Sequence, residues 1–398
     1  MPQEWLFSVL AAFATDRNLF VAFAVAVSLL PVWILLSIYL RSRGKAAPDA
    51  IGIVCFLCGI ALLESFGIRA QVVGWAAFAA FLYFLDRDDV WYYLAFPTAI
   101  LWANLHASVA LAPVIVGARV LAAALGGPGS LRGSRDLKML PLVVLAMFCT
   151  PLGWRMPDLA LTLATSPIRH YIVEWQHPGL HSFSFILGAL PLAIAILLAG
   201  KRTLWENRLT AFPALALFAG ALFASRNVPL FAIAAAPLAA IGLTSRFGQM
   251  TRLGARVREL EIVGLASILV VMPLCGFTIV RSFHDAPSQL PVSVIGSLAQ
   301  DQSAHRLFCE DFSWCSIALQ YQNVRVFIDG RCDGYPLRVW RSYIATIGIK
   351  PSWKRSLSDF GVDSVVANRG SALAKALSRV DGWKLASVDA RYSLFRRE

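Results

Sequence analysis

The chain has 398 residues, 58% of them hydrophobic and only 15% charged, with a formal net charge of +12 and a mean hydropathy of +0.63. A soluble domain runs near half apolar and a quarter charged, so the composition excludes an ordinary soluble protein and points to a bilayer as solvent. The positive charge falls in short clusters between apolar runs, so membrane topology explains it and nucleic acid is not expected as a partner. The seven Cys residues show no zinc-type grouping, and Cys55 and Cys58 lie inside the apolar run "IVCFLCGIALL", where they read as small core residues. Glu4 and Asp16 stand where a cleavable signal peptide would need a basic segment.

In chain order, apolar runs able to cross a bilayer are expected at about 18–40, 48–67, 70–86, 90–105, 107–125, 138–152, 182–200, 209–224, 228–244 and 260–281. The expected fold is therefore mainly α: a polytopic transmembrane helical bundle of about ten spans over residues 1–281, followed by a small C-terminal external α/β domain over 282–398. Basic residues set the orientation. Arg41, Arg43 and Lys45 form one cluster, Arg132, Arg135 and Lys138 a second in a Gly-rich loop. Lys201, Arg202 and Arg208 form a third, and Arg246, Arg252, Arg256 and Arg258 a fourth. Counting spans puts all four on one side, expected to be cytoplasmic. The C-terminal domain then faces outward, and the localisation expected is a bacterial inner membrane, multi-pass, with that domain periplasmic.

On the outer side, "WANLH" places Asn104 and His106 at the end of a membrane run, where an unsatisfied polar group costs several kcal/mol. An outward-facing polar cavity would account for them. Arg69, Arg169 and Arg226 lie at outer span ends, where few basic residues are expected. They read as phosphate binders, the fixed fork of a guanidinium matching that geometry, or as side chains snorkelling to headgroups. Glu174 beside Trp175 offers a carboxylate next to an aromatic face, suited to a sugar, or else an ion pair with Arg169. Gln71, Trp102 and Asn227 flank these groups and are taken as substrate contacts. The four outer His residues, His106, His170, His177 and His181, raise a metal reading, but His170, His177 and His181 lack a helical i, i+4 pairing on one face, so no cofactor is expected, a divalent cation being the alternative.

After Arg281 the composition turns mixed and polar over about 115 residues, enough for one small domain. "HRLFCE", "VRVFID", "DSVVAN", "GWKLASVD" and "YSLFRR" read as strands, with "FSWCSIALQYQ", "LRVWRSYIATIG", "WKRSLSDFG" and "SALAKALSRV" as helices between them. Asp329, Arg331 and Asp333 follow a strand directly, either as ligand groups or as turn chemistry. Cys309, Cys315 and Cys332 permit one disulfide in an oxidising compartment, the pair being open.

The ordered series "QEWL", "IRAQ", "WANLH", "TPLGW", "SPIRHYIVEW", "SRNVPLFAIAAAP" and "VFIDGRCDGY" resembles bacterial polytopic proteins of the C-type glycosyltransferase superfamily along nearly the whole chain. The resemblance implies transfer of a sugar from a polyprenyl-phosphate carrier, at the outer membrane face, to a glycan or protein acceptor. In that superfamily an acidic residue of the first external loop, after a first transmembrane helix, acts as base or orients the acceptor. Here "MPQEWL" resembles the end of that loop, which implies a missing first helix and leaves Glu4 as the acidic residue of that region. Glu174 or Glu4 is thus the expected catalytic carboxylate. The alternatives are a non-catalytic scaffold or transporter for envelope glycans, an inactive shortened relative, and an O-antigen ligase or polymerase.

Overall fold

The computed structural model describes residues 4–126, 131–156, 158, 161, 165, 170–179, 181–248, 290–301, 303–330 and 335–398. The chain divides into two compact units: Met1–Thr165 with Val173–Val280, and Ser166–Ile172 with Arg281–Glu398. Among the described residues the first carries helices and no strand and the second a small sheet, so the chain is mainly helical with a C-terminal sheet domain.

In the helical unit, α1 spans Trp5–Asp16, α2 Phe20–Ser42, α3 Pro48–Leu63, α4 Ala70–Leu85, α5 Ala95–Leu105, α6 Leu111–Leu125 and α7 Leu131–Phe148. These are followed by α8 (Leu190–Leu198), α9 (Gly200–Glu206), α10 (Arg208–Phe223) and α11 (Val228–Phe247). Among the described residues three stretches are long and apolar enough to cross a membrane: Phe20–Ser42, Ala107–Leu125 and Ser225–Phe247. Ser184–Leu198 and Gly200–Glu206, bent by 99°, make a fourth if taken as one span. The expectation of ten spans therefore draws on shorter helices as well, and its last member, 260–281, lies outside the described residues.

α11 is the core of this unit, and nearly every side chain from Val228 to Ala240 is buried. Its run "AIAAAPLAA" lets neighbouring backbones come close, the way helices associate without a hydrophobic drive between them. Pro31, Pro213 and Pro237 lie inside helices, each removing a backbone donor that buried surroundings must make good. Between α7 and α8 the chain forms a π-helical segment, Ser184–Ala189. There Gly188 lies so close to α3 that an added Cβ would fall 2.8 Å from the Ala61 backbone nitrogen.

The start of α7 differs from expectation. The Gly-rich basic loop expected to end near 138 becomes helix from Leu131, and Asp136 is 1% exposed. The physical reason is a buried partner for that carboxylate, described below.

The sheet unit has strands β1 (His305–Cys309), β2 (Val324–Val326), β3 (Ser364–Asn368), β4 (Trp383–Val388) and β5 (Tyr392–Arg397), in the order β2-β1-β3-β5-β4. β1 runs parallel to β2 and β3, while β5 is antiparallel to β3 and β4. All five strands fall where the sequence puts them. Alternation sends Phe308, Val365 and Phe395 to one face, against Trp340, Tyr343, Leu357 and Leu373. Leu307, Val366 and Leu394 go to the other, against Ile295, Cys315 and Ala318. Both faces are thus covered, by the helices Leu337–Ile347, Trp353–Asp359 and Ala372–Leu377 on one side and Val292–Ala299 with a 3-10 segment, Trp314–Gln320, on the other. The open disulfide pairing resolves to Cys309–Cys315, which ties the end of β1 to that 3-10 segment; Cys332 lies outside the described residues.

Residues Ser166–Ile172 come from the long polar loop yet belong to this second unit. Tyr171 stacks on Trp340 with centroids 6.0 Å apart and planes 5° from parallel.

Candidate functional site

α4 serves as a ruler for the helical unit. Arg69 precedes it and Asp86 follows it, about 24 Å apart at the usual helical rise. Each end gathers charge.

At the Arg69 end, α5 stops at Leu105 and His106 adopts extended backbone before the 3-10 turn Ala107–Ala110. The His106 ring is nearly enclosed, with the residue 3% exposed. Gly74 makes room for it: a Cβ there would lie 2.9 Å from His106 Cβ and 3.3 Å from Nδ1. Ser108 N donates to His106 Nδ1 at 3.0 Å and Ser108 Oγ lies 2.7 Å from the same atom. His106 Nε2 faces Glu4 Oε1 at 3.3 Å. The positive charges of Arg226 and Arg69 both act on this ring. Gln71 shares its helical face with Gly74, one turn nearer the end. Its side chain is 6% exposed, and among the described residues its amide has no hydrogen-bond partner.

Arg69 grips Glu174 with both prongs, Nη1 to Oε1 at 2.5 Å and Nη2 to Oε2 at 3.0 Å. The sequence left Glu174 a pairing with Arg169; the partner is Arg69. Arg226 lies over the Trp175 ring, 5.1 Å from its centroid, so a cation already occupies a face of the ring taken for sugar stacking. Two bonds fasten this loop to the start of α11: Ser225 N to Gln176 O and Ser225 Oγ to Glu174 O. Asn227 donates to Gly220 O at 2.9 Å, a tie within the helical scaffold.

Two residues taken as sugar contacts have structural work. Trp102 is fully buried between Phe78 and Phe81, and its indole N–H donates to Ser108 Oγ at 2.9 Å. Asn104 accepts from Trp5 Nε1 and donates to Ile100 O and Cys149 O, each at 2.8 Å. It ties α1 and the end of α7 to α5, and so brings Glu4 to His106.

Asp329 belongs to the sheet unit, three residues beyond β2, and is fully buried. Arg169, Arg331 and Asp333 lie outside the described residues. His170 belongs with the sheet unit and His177 with the helical one. Among the described residues no group of three His, Cys, Asp or Glu side chains could hold a metal ion.

Glu64 is a lone charge within a long apolar stretch. It terminates α3, and its Oε2 accepts from Ser182 Oγ at 2.8 Å, from Ser184 Oγ at 2.5 Å and from Ser184 N at 3.2 Å. The start of the π-helical segment presents the two Ser184 donors, and Ser182 just ahead of it the third, a form that often marks functional positions.

The Asp86 end is built differently. Arg41 Nε pairs with Asp86 Oδ2 at 2.8 Å, and Arg119 bridges Asp86 Oδ1 and Asp136 Oδ2, both at 3.0 Å. Tyr92 OH donates to Asp136 Oδ1 at 2.9 Å. Two further guanidinium nitrogens reach backbone carbonyls, Arg41 Nη1 at Ile233 and Arg119 Nη2 at Leu85. Two cations meet two anions, with Arg41, Arg119 and Asp136 almost out of contact with water and Asp86 17% accessible. Sequence reasoning passed over this network although Arg119, a charge inside an apolar run, was its signal: such a residue requires a buried partner.

Comparison with protein-family models and with curated proteins finds no match to this chain.

Proposed function

We propose that this chain is an integral-membrane glycosyltransferase of the C type, moving a sugar from a polyprenyl-phosphate donor to an envelope acceptor. The observation that supports it most is the Arg69 end: a carboxylate held by a buried His, with Arg69 and Arg226 close enough to act electrostatically on the same ring. That set suits a reaction in which an acceptor hydroxyl attacks the anomeric carbon. The new O–C1 bond forms, the C1–O bond to phosphate breaks, and the bonding pair leaves with the phosphate. Its departing charge would fall to Arg69 and Arg226, and the hydroxyl proton to Glu4. Glu174 is less suited to the proton, since Arg69 engages both its oxygens. Donor phosphate would take that place on Arg69. Orientation and charge stabilisation carry most of such a step, because phosphate already leaves well.

The ten-span topology belongs to this proposal, with the basic clusters cytoplasmic and the sheet unit periplasmic in a bacterial inner membrane. The Cys309–Cys315 disulfide fits an oxidising compartment. Cysteine-labelling of single-Cys variants in intact and permeabilised cells tests the sidedness.

The activity is tested in proteoliposomes supplied with polyprenyl-phosphate hexoses and host envelope glycans, following donor consumption. Turnover that Glu4→Gln abolishes and Glu174→Gln merely reduces is the expected result; no consumption of any polyprenyl-phosphate sugar rejects the reading. A second reading, a non-catalytic scaffold for envelope glycans, is favoured by the bidentate neutralisation of Glu174, and donor binding without turnover would select it.

A further inference from the structure

We propose that His106 is a positioning residue with one fixed tautomer, carrying its proton on Nε2 and aiming the Glu4 carboxylate. The task of Glu4 as proton acceptor rests on the transferase reading above; the tautomer rests on the hydrogen bonds alone. Ser108 N is a donor and lies 3.0 Å from Nδ1, so Nδ1 must present a lone pair. An imidazolium would set two N–H groups against each other there. Trp102 Nε1 can only donate, and it gives its hydrogen to Ser108 Oγ at 2.9 Å. That hydroxyl keeps its own proton, and Nδ1, 2.7 Å away, accepts it.

With Nδ1 bare, a neutral ring carries its proton on Nε2, which faces Glu4 Oε1 at 3.3 Å. Every hydrogen in the series Trp102, Ser108, His106, Glu4 therefore points the same way. The series runs from a fully buried indole to a carboxylate whose side chain is 34% exposed. Gly74 holds the ring against α4, since any larger residue would meet His106 Cβ. The charged groups acting on the ring are Glu4 ahead of α1, Arg69 ahead of α4 and Arg226 ahead of α11.

His106 does not exchange a proton in this scheme. Its Nε2–H fixes one carboxylate oxygen, and Glu4 takes the proton of the acceptor hydroxyl as that oxygen bonds to the anomeric carbon. The C1–O bond to phosphate breaks in the same step, and its electron pair leaves with the phosphate.

Two measurements test this. The first is imidazole ¹⁵N NMR of histidine-labelled full chain in detergent, the His106 signal being assigned by its loss in His106→Asn. A neutral ring protonated on Nε2 is expected; a Nδ1–H ring or an imidazolium overturns the proposal. The second compares His106→Gln, whose amide N–H reaches about where Nε2–H lies, with His106→Asn, whose shorter amide stays near Nδ1. With a polyprenyl-phosphate hexose as donor, His106→Asn is expected to lower kcat about 100-fold with donor KM little changed, within the range of acid–base contributions. His106→Gln should recover at least about tenfold of that loss. Equal loss in both variants overturns the positioning role. A wild-type chain that shows the Nε2–H signal yet turns over no donor overturns the transferase reading and Glu4's task with it, while the tautomer stands.

Discussion

The two ends of α4 handle charge in opposite ways. At Asp86, two Arg and two Asp residues are matched in charge and mostly buried, only Asp86 keeping 17% of its side chain accessible, and they draw together six helical segments. At Arg69 the ion pair is half exposed, with the side chains of Arg69 and Glu174 48% and 31% accessible, and the neighbouring amide of Gln71 has no protein partner among the described residues. The Asp86 end is thus the more buried and the more fully paired of the two, and the Arg69 end the more open to solvent. The lesson is that burial and completeness, rather than the number of charges, separate a structural site from a binding one.

The largest effect should come from breaking the closed end. Arg119→Met would leave Asp86 and Asp136 short of their shared cation, at a cost of about 3–5 kcal/mol. Thermal unfolding of the purified chain in detergent measures it. The corresponding change at the open end, Glu174→Gln, should cost under about 1 kcal/mol and less still at high salt. If the two variants lowered Tm equally, the contrast between the ends would be lost.

Gly74→Ala sharpens the comparison from within the open end. Ala favours a helix over Gly by about 0.5–1 kcal/mol. The new methyl would nevertheless press on His106 Cβ at 2.9 Å, and overpacking of this sort costs about 1–3 kcal/mol. Net destabilisation of about 1 kcal/mol is expected, with displacement of the His106 NMR signal. A stabilised variant with an unmoved signal would show that the ring is not wedged as described.

Asn104→Ala should cost about 1–2 kcal/mol by leaving Trp5 Nε1 and the Ile100 and Cys149 carbonyls without their partner. Because those bonds hold α1, limited proteolysis should reach the N-terminal helix faster in this variant. Unchanged protection would mean that other contacts keep α1, and Glu4 with it, in place.

The smallest effect lies in the sheet unit. Asp301 accepts from Ser303 N at 3.1 Å and from Arg396 at 2.7 Å, and these bonds hold its pKa below the usual carboxylate value. A depressed folded-state pKa gives stability that is present above about pH 4 and lost as pH falls below it. Asp301→Asn should flatten the stability profile of the full chain in that acid window and lower stability slightly at neutral pH, the two chains converging as the wild-type carboxyl is protonated. Flattening on the alkaline side instead would contradict the assignment.

How much of this was visible in the amino-acid order depends on range. The strands of the sheet unit were legible because period-two alternation and turn residues are local. The apolar helices were legible for the same reason, and His106 was correctly suspected as a polar group at a helix end. The partners were not. Asn104 looks like a ligand residue until Trp5, 99 positions away, is found bonded to it. Glu174 was offered the nearby Arg169 and takes Arg69, 105 positions distant. Asp136 looked like loop polarity because its cations stand on other helices. Tertiary pairing decided each role, and a single sequence does not display it.

The stacking of Tyr171 on Trp340 also sets an order of events during synthesis. A ribosome adding roughly 5–20 residues per second would deliver the second ring on the order of 10–30 seconds after the first. For that interval residues 166–172 have no sheet unit to join. The last part of the chain made is the part that gives this early loop its place, so a ribosome stalled before β1 would leave the loop without its dock.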